Sequence, residues 1–328
     1  MTRHRIVLPR GLPRDWMEPL YAAADVVEGP PEALSLVPEV EAALEDADGV
    51  LTLLTQRVDA AFLDRAPNLR VVSNMAVGTD NIDLQACAER DIALGHTPGV
   101  LTDATADLTL ALILAGARQL SSACHDAAEG RWGPWSPTKW LGLELSGATL
   151  GIIGPGKIGT AVATRAQAFG MRIVFTHHRD VPPVVPGAQQ VELNALLSCS
   201  DVVSVHVPLT PSTRGLLSAA EFEQMKPTAL LVNTARGGIV DTDALVTALQ
   251  RGTLSRAALD VTDPEPLPPT HPLYSLPQVL ISPHIGSATE ATRRRMAALA
   301  VDNVLAGVRG APLPHALRPG LRGPTAAP

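Results

Sequence analysis

The sequence predicts an α/β protein of two domains, in which short parallel strands alternate with helices. The first observation is its 328 residues, of which 46% are hydrophobic and 18% charged, because they supply enough apolar material for two cores. The second is the alternation of apolar runs with amphipathic stretches, which is typical of a parallel sheet covered on both faces. The third is a glycine-rich turn, Gly154-Pro-Gly-Lys-Ile-Gly159, between one such run and a helix.

In the first hundred residues, short apolar runs predict strands, and the stretches 39–46 and 60–65 predict helices between them. The predicted strands are 6–8, 26–27, 49–55, 70–74 and 92–96. The next stretch, 102–126, has apolar residues at helical spacing. We expect it to form one long helix that leaves the first domain.

A second α/β pattern begins at Ala148. Its predicted strands are 149–153, 172–175, 202–205, 229–233, 257–261 and 279–282. A proline-rich stretch, 181–187, predicts a surface loop, and an amphipathic helix over 288–306 closes the pattern. The tail from Gly310 is rich in proline and alanine, so we expect it to be extended or disordered.

The charge balance and the cysteine content exclude several classes of function. The 26 Lys and Arg residues are outnumbered by 33 Asp and Glu, a formal net charge of −7, so no basic face is expected for nucleic acid or an anionic membrane. Cys87, Cys124 and Cys199 show neither a disulfide framework nor zinc-ligand spacing, which indicates a reducing compartment. No apolar stretch has the length of a signal peptide core or a membrane span. We therefore expect a cytoplasmic protein without a metal, nucleic-acid or membrane partner.

Gly154, Gly156 and Gly159 fit the pattern G-x-G-x-x-G, directly after an apolar strand and at the start of a helix. The first glycine permits a tight turn, the second lets a pyrophosphate approach the backbone, and the third lets helix and strand pack closely. The helix N-terminus then offers N–H groups to the phosphates. The turn favours a dinucleotide-binding, Rossmann-type sheet over an ordinary glycine-rich turn.

The residue that binds the adenosine ribose is expected about 20 positions further on, where the chain reads His177-His178-Arg179-Asp180. His177 stands where a ribose-binding carboxylate is expected, while Arg179 can hold a 2′-phosphate and Lys157 adds positive charge. We therefore predict a preference for NADP(H), with NAD(H) possible, and include His178 and Arg179 in the cofactor site. In the alternative, this stretch is a solvated loop and Asp180 binds the ribose.

Three polar residues each follow a predicted strand: Arg236, Glu265 and His284. In an open parallel sheet the carboxyl ends of all strands lie at one edge, where ligands bind, so these residues can converge there. An arginine grips a carboxylate through two hydrogen bonds, a histidine exchanges a proton near neutral pH, and a nearby carboxylate orients the imidazole. Each residue alone is explained by a turn, a loop or a helix cap. Together with the glycine turn, they favour hydride transfer to a 2-oxo acid.

These residues complete a pattern that resembles the D-2-hydroxyacid dehydrogenase family over about residues 50–309. The matching stretches are Val77–Asp83, Thr97–Ala106, Gly151–Gly159, Asn233–Gly237, Leu259–Pro266 and Ser282–Ala288. Within the family, the chain is most similar to the glyoxylate reductase/hydroxypyruvate reductase branch. The resemblance implies a discontinuous, flavodoxin-like substrate domain, residues 1–100 and 288–328, and a dinucleotide-binding domain, residues 101–287.

The resemblance also implies roles for the residues of the site. A small 2-oxo acid such as glyoxylate or hydroxypyruvate would be reduced to the D-2-hydroxy acid. His284 would be the acid/base paired with Glu265, and Arg236 would bind the carboxylate and the carbonyl of the substrate. The substrate-binding residues implied in the other domain are Leu54, Val77 and Gly78.

Further cofactor contacts and a homodimer are implied in the same way. The cofactor positions are Thr105, Ile158, Val207, Pro208, Thr213, Thr234, Ala235, Asp260 and Gly286. Asp260 would face the nicotinamide carboxamide. Trp140 resembles the tryptophan that this branch inserts into the active site of the partner subunit.

Two alternatives stay open. A D-lactate-type or broad 2-oxo acid reductase fits the same pattern, because a pocket separates neighbouring side-chain sizes only modestly. A protein of a different class, a dinucleotide-sensing transcriptional corepressor, shares the fold and the cofactor turn. An enzyme loses turnover on His284→Ala while it still binds NADPH, whereas a binding protein loses nothing that it needs.

Overall fold

The computed structural model describes residues 3–33 and 35–317, and the chain folds into two compact units. Of the described residues, those up to 101 and those from Thr289 onward form unit 1, and residues 102–288 form unit 2. The sequence places the two boundaries after residues 100 and 287. The structure places each boundary one residue later.

Unit 1 is built on five parallel strands. They are β1 (Arg5–Leu8), β2 (Asp25–Glu28), β3 (Gly49–Thr52), β4 (Val71–Asn74) and β5 (Ala93–Gly95). Their order in the sheet is β2-β1-β3-β4-β5, the flavodoxin-like order, as the resemblance implies. All residues of β3 and β4 are buried, because apolar side chains cover both faces of these central strands.

Four short helices connect these strands. They are α1 (Glu18–Ala23), α2 (Pro38–Ala43), α3 (Ala60–Asp64) and α4 (Leu84–Glu89), with a 3₁₀ helix at Arg14–Trp16. Successive residues of a strand point to opposite faces of the sheet. Val50 and Val72 therefore pack with Phe62 of α3 in one core, while Leu51 and Val71 belong to a second core on the other face.

Unit 2 is built on seven parallel strands. They are β6 (Thr149–Ile153), β7 (Arg172–Thr176), β8 (Gln189–Gln190), β9 (Val202–Val205), β10 (Leu230–Asn233), β11 (Arg256–Leu259) and β12 (Val279–Ile281). The order is β12-β11-β10-β9-β6-β7-β8, so the direction of winding reverses between β6 and β9. Ligands of open α/β sheets bind at the carboxyl ends of the strands beside such a reversal. The predicted Rossmann-type sheet is confirmed.

Helices cover both faces of this sheet. They are α5 (Thr102–Ala117), α6 (Leu120–Ala128), α7 (Lys157–Ala168), α8 (Leu193–Cys199), α9 (Ala219–Gln224) and α10 (Thr242–Arg251), with 3₁₀ helices at Gly237–Ile239 and Pro272–Ser275. One core forms around Leu150, Ile152 and Val232, and the other forms around Val203 and Leu231 on the opposite face. Unit 2 is therefore doubly wound.

The prediction of one long helix over 102–126 is wrong. The structure has two helices, α5 and α6, separated at Arg118 and Gln119. Gln119 adopts the left-handed conformation, with φ of 51°, which an α-helix cannot continue through. The Gln119 side chain donates to Leu141 O, which ties the break to the segment that leads into β6. Apolar residues recur at helical spacing both before and after Gln119, so the sequence pattern does not indicate the break.

After unit 2, the chain returns to unit 1 through α11 (Glu290–Val308). Met296, Ala300 and Val304 of α11 are buried in the second core of unit 1. Within the predicted proline-rich tail, Ala316 forms an antiparallel bridge with Gly95 of β5, after a turn at residues 314–315. The tail beyond residue 317 lies outside the described residues.

Two further expectations concern the surface and the membrane. The predicted loop 181–187 contains no helix or strand, but the two-residue edge strand β8 follows it and is missed by the sequence pattern. Among the helices of the described residues, none combines the length and the apolar character needed to cross a membrane.

Candidate active site

The glycine-rich turn lies at the carboxyl end of β6, next to the reversal of the sheet. Gly154 has a φ of 91°, and a Cβ at this position would lie 2.6 Å from the Val207 side chain, so only glycine fits. Gly156 precedes α7 without a side-chain cap, and a Cβ there would meet only open space. The first N–H groups of α7 are therefore available to a ligand, as dinucleotide phosphates require. Lys157 and Ile158 are the first two residues of this helix.

The loop after β7 carries the residues predicted to select the cofactor. The Arg179 N–H donates to His177 Nδ1 at 3.2 Å, and Arg179 Nε donates to His178 Nε2 at 3.0 Å. Gln190 of β8 also stabilises this loop, because its Nε2 donates to Arg179 O at 2.7 Å. Within residues 3–33 and 35–317, no carboxylate forms an ion pair with Arg179, and this includes the neighbouring Asp180. The guanidinium is thus not neutralised by the protein.

Reduced contact with water lowers the pKa of His178, and the neighbouring His177 and Arg179 lower it further. A neutral His178 can accept the hydrogen bond from Arg179, whereas a protonated one cannot. The loop therefore presents one permanent positive charge, at Arg179.

His206 lies directly behind the glycine turn, after β9. Its Nε2 is 2.8 Å from Ser204 Oγ, and its main-chain N–H donates to Ile153 O at the end of β6. Burial lowers the pKa of His206 to about 4. The ring is therefore neutral at neutral pH, and the main chain of His206 lies beside Gly154.

Arg236 follows β10 in a turn that the neighbouring residues hold tightly. The buried Asn233 donates from Nδ2 to Arg236 O at 2.8 Å and accepts at Oδ1 from the Ala235 N–H at 3.0 Å. Arg236 Nη1 donates to Ala235 O at 2.8 Å. A Cβ on Gly237 would lie 1.9 Å from Thr262 O, so this glycine lets the Arg236 turn approach the loop that carries Glu265.

Glu265 and His284 form a close pair at the same edge of the sheet. The distance between His284 Nδ1 and Glu265 Oε1 is 2.6 Å, and the two side chains are 23% and 35% exposed. Because a carboxylate accepts, Nδ1 carries a hydrogen, and Nε2 is the nitrogen left to face a ligand. The pair can donate and accept a proton at a partly exposed position.

The loop of His284 is held by a buried carboxylate. Asp260, which is 1% exposed, accepts hydrogen bonds from Ser282 Oγ at 2.6 Å and from the N–H groups of Ile285 and Gly286 at 2.8 Å each. His284 itself has a φ of 52°, an uncommon conformation for a residue with a Cβ. Ser282 is absent from the residues that the sequence singles out, although it begins the stretch Ser282–Ala288 that carries the resemblance.

Several of the other expected cofactor residues lie at this edge of unit 2. Thr105 Oγ1 donates to Gly286 O at 3.2 Å, and Thr109 Oγ1 lies 2.9 Å from Thr234 Oγ1. Thr213 Oγ1 donates to Pro208 O at 2.6 Å. Val207 and Ala235 lie in the turns after β9 and β10. The helix α5 is thus linked to the turns that follow β10 and β12.

Leu54, Val77 and Gly78 lie in unit 1, in the segments that follow β3 and β4. The carboxyl ends of these two strands are adjacent in the parallel sheet. Within the described part of the chain, the N–H groups of Val77 and Gly78 have no hydrogen-bond partner. Each can still donate one hydrogen bond.

Trp140 contacts residues close to it in sequence. Its Nε1 donates to Asp126 Oδ2 at 3.0 Å, and Lys139 Nζ lies 4.0 Å from the ring centroid. The contact between Asp126 and Trp140 is not predicted from the sequence, because no sequence pattern distinguishes Asp126. Trp132 and Trp135, on the same segment, are 65% and 86% exposed.

The chain is similar to known proteins over most of its length. Residues 110–286 match the model of the D-isomer specific 2-hydroxyacid dehydrogenase family, NAD binding domain. A glyoxylate reductase of Thermofilum pendens is 43% identical over 94% of this chain and 93% of the relative. A human glyoxylate reductase/hydroxypyruvate reductase is 40% identical over 96% of this chain and 98% of the relative.

Solved structures show the same likeness. The TT0316 protein of Thermus thermophilus superposes with a TM-score of 0.89 at 47% identity, over 96% of this chain and all of that one. An NADPH-dependent glyoxylate/hydroxypyruvate reductase of Sinorhizobium meliloti, solved with NADP and malonate, gives a TM-score of 0.85 at 33% identity, over 96% of this chain and 97% of that one. Because the family model matches more than half of the chain and full-length relatives are 40–43% identical, this chain belongs to the D-isomer specific 2-hydroxyacid dehydrogenase family.

Proposed function

We propose that this protein is a glyoxylate/hydroxypyruvate reductase, which reduces a small 2-oxo acid to the D-2-hydroxy acid with NAD(P)H. The observation that carries the proposal is the 2.6 Å contact between His284 Nδ1 and Glu265 Oε1 at the carboxyl edge of a dinucleotide-binding sheet. Relatives named for this activity, at 40–48% identity, support the choice of substrate.

His284 supplies the proton in this reaction. Reduction of the carbonyl leaves a developing alkoxide, which His284 Nε2 protonates. Glu265 accepts the hydrogen bond from Nδ1 and so orients the ring. In the direction of oxidation, the same nitrogen accepts the proton of the hydroxyl group.

Arg236 binds the substrate and polarises it. A guanidinium offers parallel N–H donors, so it can contact the carboxylate and the carbonyl oxygen of a 2-oxo acid together. Gly237 and Asn233 hold the turn in place, which supports a defined direction for the side chain. We assign substrate contacts in unit 1 to Leu54 and to the N–H groups of Val77 and Gly78. Unit 1 is thus the proposed substrate domain.

Unit 2 contains the matched NAD binding domain, and its residues fit a nicotinamide dinucleotide. The cofactor, when bound, supplies the hydride for C2 of the substrate. Gly154, Gly156, Gly159 and the first turn of α7 are proposed to hold the pyrophosphate. The other proposed cofactor contacts are Thr105, Ile158, Val207, Pro208, Thr213, Thr234, Ala235, Asp260 and Gly286.

We further propose that NADP(H) is preferred over NAD(H). Arg179 is exposed and has no carboxylate partner within the described residues, so a 2′-phosphate would gain a charge-assisted hydrogen bond there. His178 and Lys157 would contribute donors or positive charge to the same group.

A homodimer and a cytoplasmic location complete the proposal. Exposed tryptophans such as Trp135, in a segment that also holds Trp140, suit a protein interface. In the homodimer, we propose that Trp140 contributes to the partner's substrate site. The free cysteines Cys87, Cys124 and Cys199 support a reducing compartment.

The test is the loss of nicotinamide absorbance with NADPH or NADH and a set of 2-oxo acids: glyoxylate, hydroxypyruvate, pyruvate and a bulky 2-oxo acid. Fast oxidation of NADPH with the first two supports the proposed substrates and the proposed cofactor. Fast oxidation only with pyruvate or the bulky acid keeps the mechanism and replaces the substrate. No turnover, despite NADPH binding, rejects the enzyme in favour of the corepressor-like binding protein.

A further inference from the structure

His96 holds the loop that follows β4 through a hydrogen bond to a main-chain carbonyl. β4 and β5 are neighbours in the sheet of unit 1, and their chains continue side by side past the strand ends. The Thr97 N–H donates to Ala76 O at 2.9 Å, and the Nδ1 atom of His96 lies 3.2 Å from Val77 O. Because a carbonyl oxygen only accepts, Nδ1 is the protonated nitrogen in this bond.

Because the peptide group is rigid, the hydrogen bonds to Ala76 O and Val77 O also determine where the N–H groups of Val77 and Gly78 point. In a trans peptide, the C=O and the N–H point in opposite directions across a rigid plane. The carbonyl of Ala76 shares its peptide with the N–H of Val77, and the carbonyl of Val77 shares its peptide with the N–H of Gly78. With both carbonyls held by the chain that follows β5, both N–H groups point away from that chain.

The loop is also held at its far end. Asn74 is fully buried, and its Nδ2 donates to Gly78 O at 3.0 Å and to Asn81 Oδ1 at 3.1 Å. Asn81 in turn donates to Gln56 O at 2.9 Å, in the segment that follows β3. The peptide between Val77 and Gly78 is therefore fixed from both sides, and His96 is the side chain that contacts its carbonyl.

We propose that His96 is a positioning residue for the substrate carboxylate: through Val77 O, it directs the N–H of Gly78 at the carboxylate of the 2-oxo acid. The proposal rests on the proposed function, in which Val77 and Gly78 provide the N–H groups that bind substrate. Successive N–H groups that point to one side suit an anion. The role assigned to His96 is indirect, through its hydrogen bond to Val77 O.

Two variants distinguish the effect of the hydrogen bond from the effect of packing, since His96 is only 9% exposed. His96→Phe keeps an aromatic ring and removes the donor. His96→Asn removes the ring but places a carboxamide nitrogen where Nδ1 lies, so the bond to Val77 O is retained. A residue that serves only packing would show the larger defect in the asparagine variant.

We expect His96→Phe to raise the KM for glyoxylate about five- to tenfold, the effect of one lost hydrogen bond, with kcat changed less than about twofold. The Kd of NADPH should stay unchanged. His96→Asn should keep the KM within about twofold of the wild type even though its Tm falls, because the bond to Val77 O is retained. Binding of oxamate, a non-reacting analogue, measured by calorimetry on the NADPH-loaded protein, should follow the same order without any turnover.

His4→Phe is the matched control, because His4 precedes β1 and so lies at the opposite, amino-terminal edge of the same sheet. It should change neither KM nor oxamate binding. Equal KM values for His96→Phe and the wild type, or an equal rise in both His96 variants, overturn the positioning role. If the wild-type protein reduces no 2-oxo acid, both the proposed function and this inference are wrong. The wild-type assay by itself distinguishes that failure from a failure of the positioning role alone.

Discussion

Gly237 lies so close to the carbonyl oxygen of Thr262 that a Cβ at position 237 would be 1.9 Å from it. This contact joins the turn that carries Arg236 to the loop that carries Glu265. Any side chain at Gly237 would force the turn and the loop apart. The distance between the guanidinium and the Glu265–His284 pair therefore depends on the absence of a side chain.

Gly237→Ala should lower kcat/KM for glyoxylate about 100-fold or more, because a displacement of about 1 Å in a positioned group has an effect of this size. The free energy of unfolding should fall by only about 1–3 kcal/mol, as for other overpacked sites. Steady-state kinetics and urea unfolding measure the two effects. Gly238→Ala is the control, because its Cβ meets only the flexible ends of Arg214 and Asp263. Equal activity of the two variants would contradict the argument.

His284→Gln should lower kcat by roughly 10²–10⁴-fold, the usual contribution of a general acid. The glutamine fills similar space but cannot supply the proton. The Kd of NADPH, measured by fluorescence titration, should stay within about threefold, because His284 is assigned to the substrate. Turnover at the wild-type rate would remove His284 from the acid/base role.

Arg179→Asp should raise the Kd of NADPH about tenfold or more, because the variant loses a charge-assisted hydrogen bond and adds a repulsive charge. The Kd of NADH should change little, since NADH has no 2′-phosphate. Fluorescence titration with both cofactors measures the ratio. Arg172→Asp, at the other end of β7, controls for the change in net charge. An unchanged ratio in Arg179→Asp would mean that the phosphate is bound elsewhere.

His206 should make the protein less stable in mild acid. Its pKa is about 4 in the folded chain and 6.5 in an unfolded one, so the unfolded state binds the proton first as the pH falls. The contribution of His206 is complete above pH 6.5 and is lost between pH 6.5 and 4, by at most about 3 kcal/mol.

Urea unfolding of the wild type and of His206→Gln from pH 7.5 to pH 4.5 measures this loss. The glutamine can keep the contact with Ser204 but does not titrate, so its free energy of unfolding should fall less over this range. Parallel curves for the two proteins would show that His206 does not cause the acid sensitivity.

The pattern of strands and helices could be predicted because each element depends on a short window. The alternation of apolar runs indicates parallel sheets, and parallel strands end at one edge of a sheet. For this reason Arg236, Glu265 and His284 could be assigned to one site although 19 to 48 positions separate them in sequence. Unit 2 places the turns or loops of all three at the carboxyl edge.

The contacts that set the geometry could not be predicted in this way. The break at Gln119 depends on a left-handed residue inside a helical pattern. The hydrogen bonds from the loop of His284 to Asp260 join residues that no sequence motif relates to each other. The link between Asp126 and Trp140 is of the same kind.

The sequence by itself determined the class of fold, the glycine-rich turn after β6 and the choice of candidate reacting side chains, because these depend on local periodicity, on glycine conformations and on chemical type. Only the tertiary structure decided which nitrogen of His284 meets Glu265, how closely Gly237 approaches Thr262, and which carbonyl His96 holds. These are distances between segments far apart in the chain. They are set by the packing of whole elements against one another, which no short stretch of residues contains.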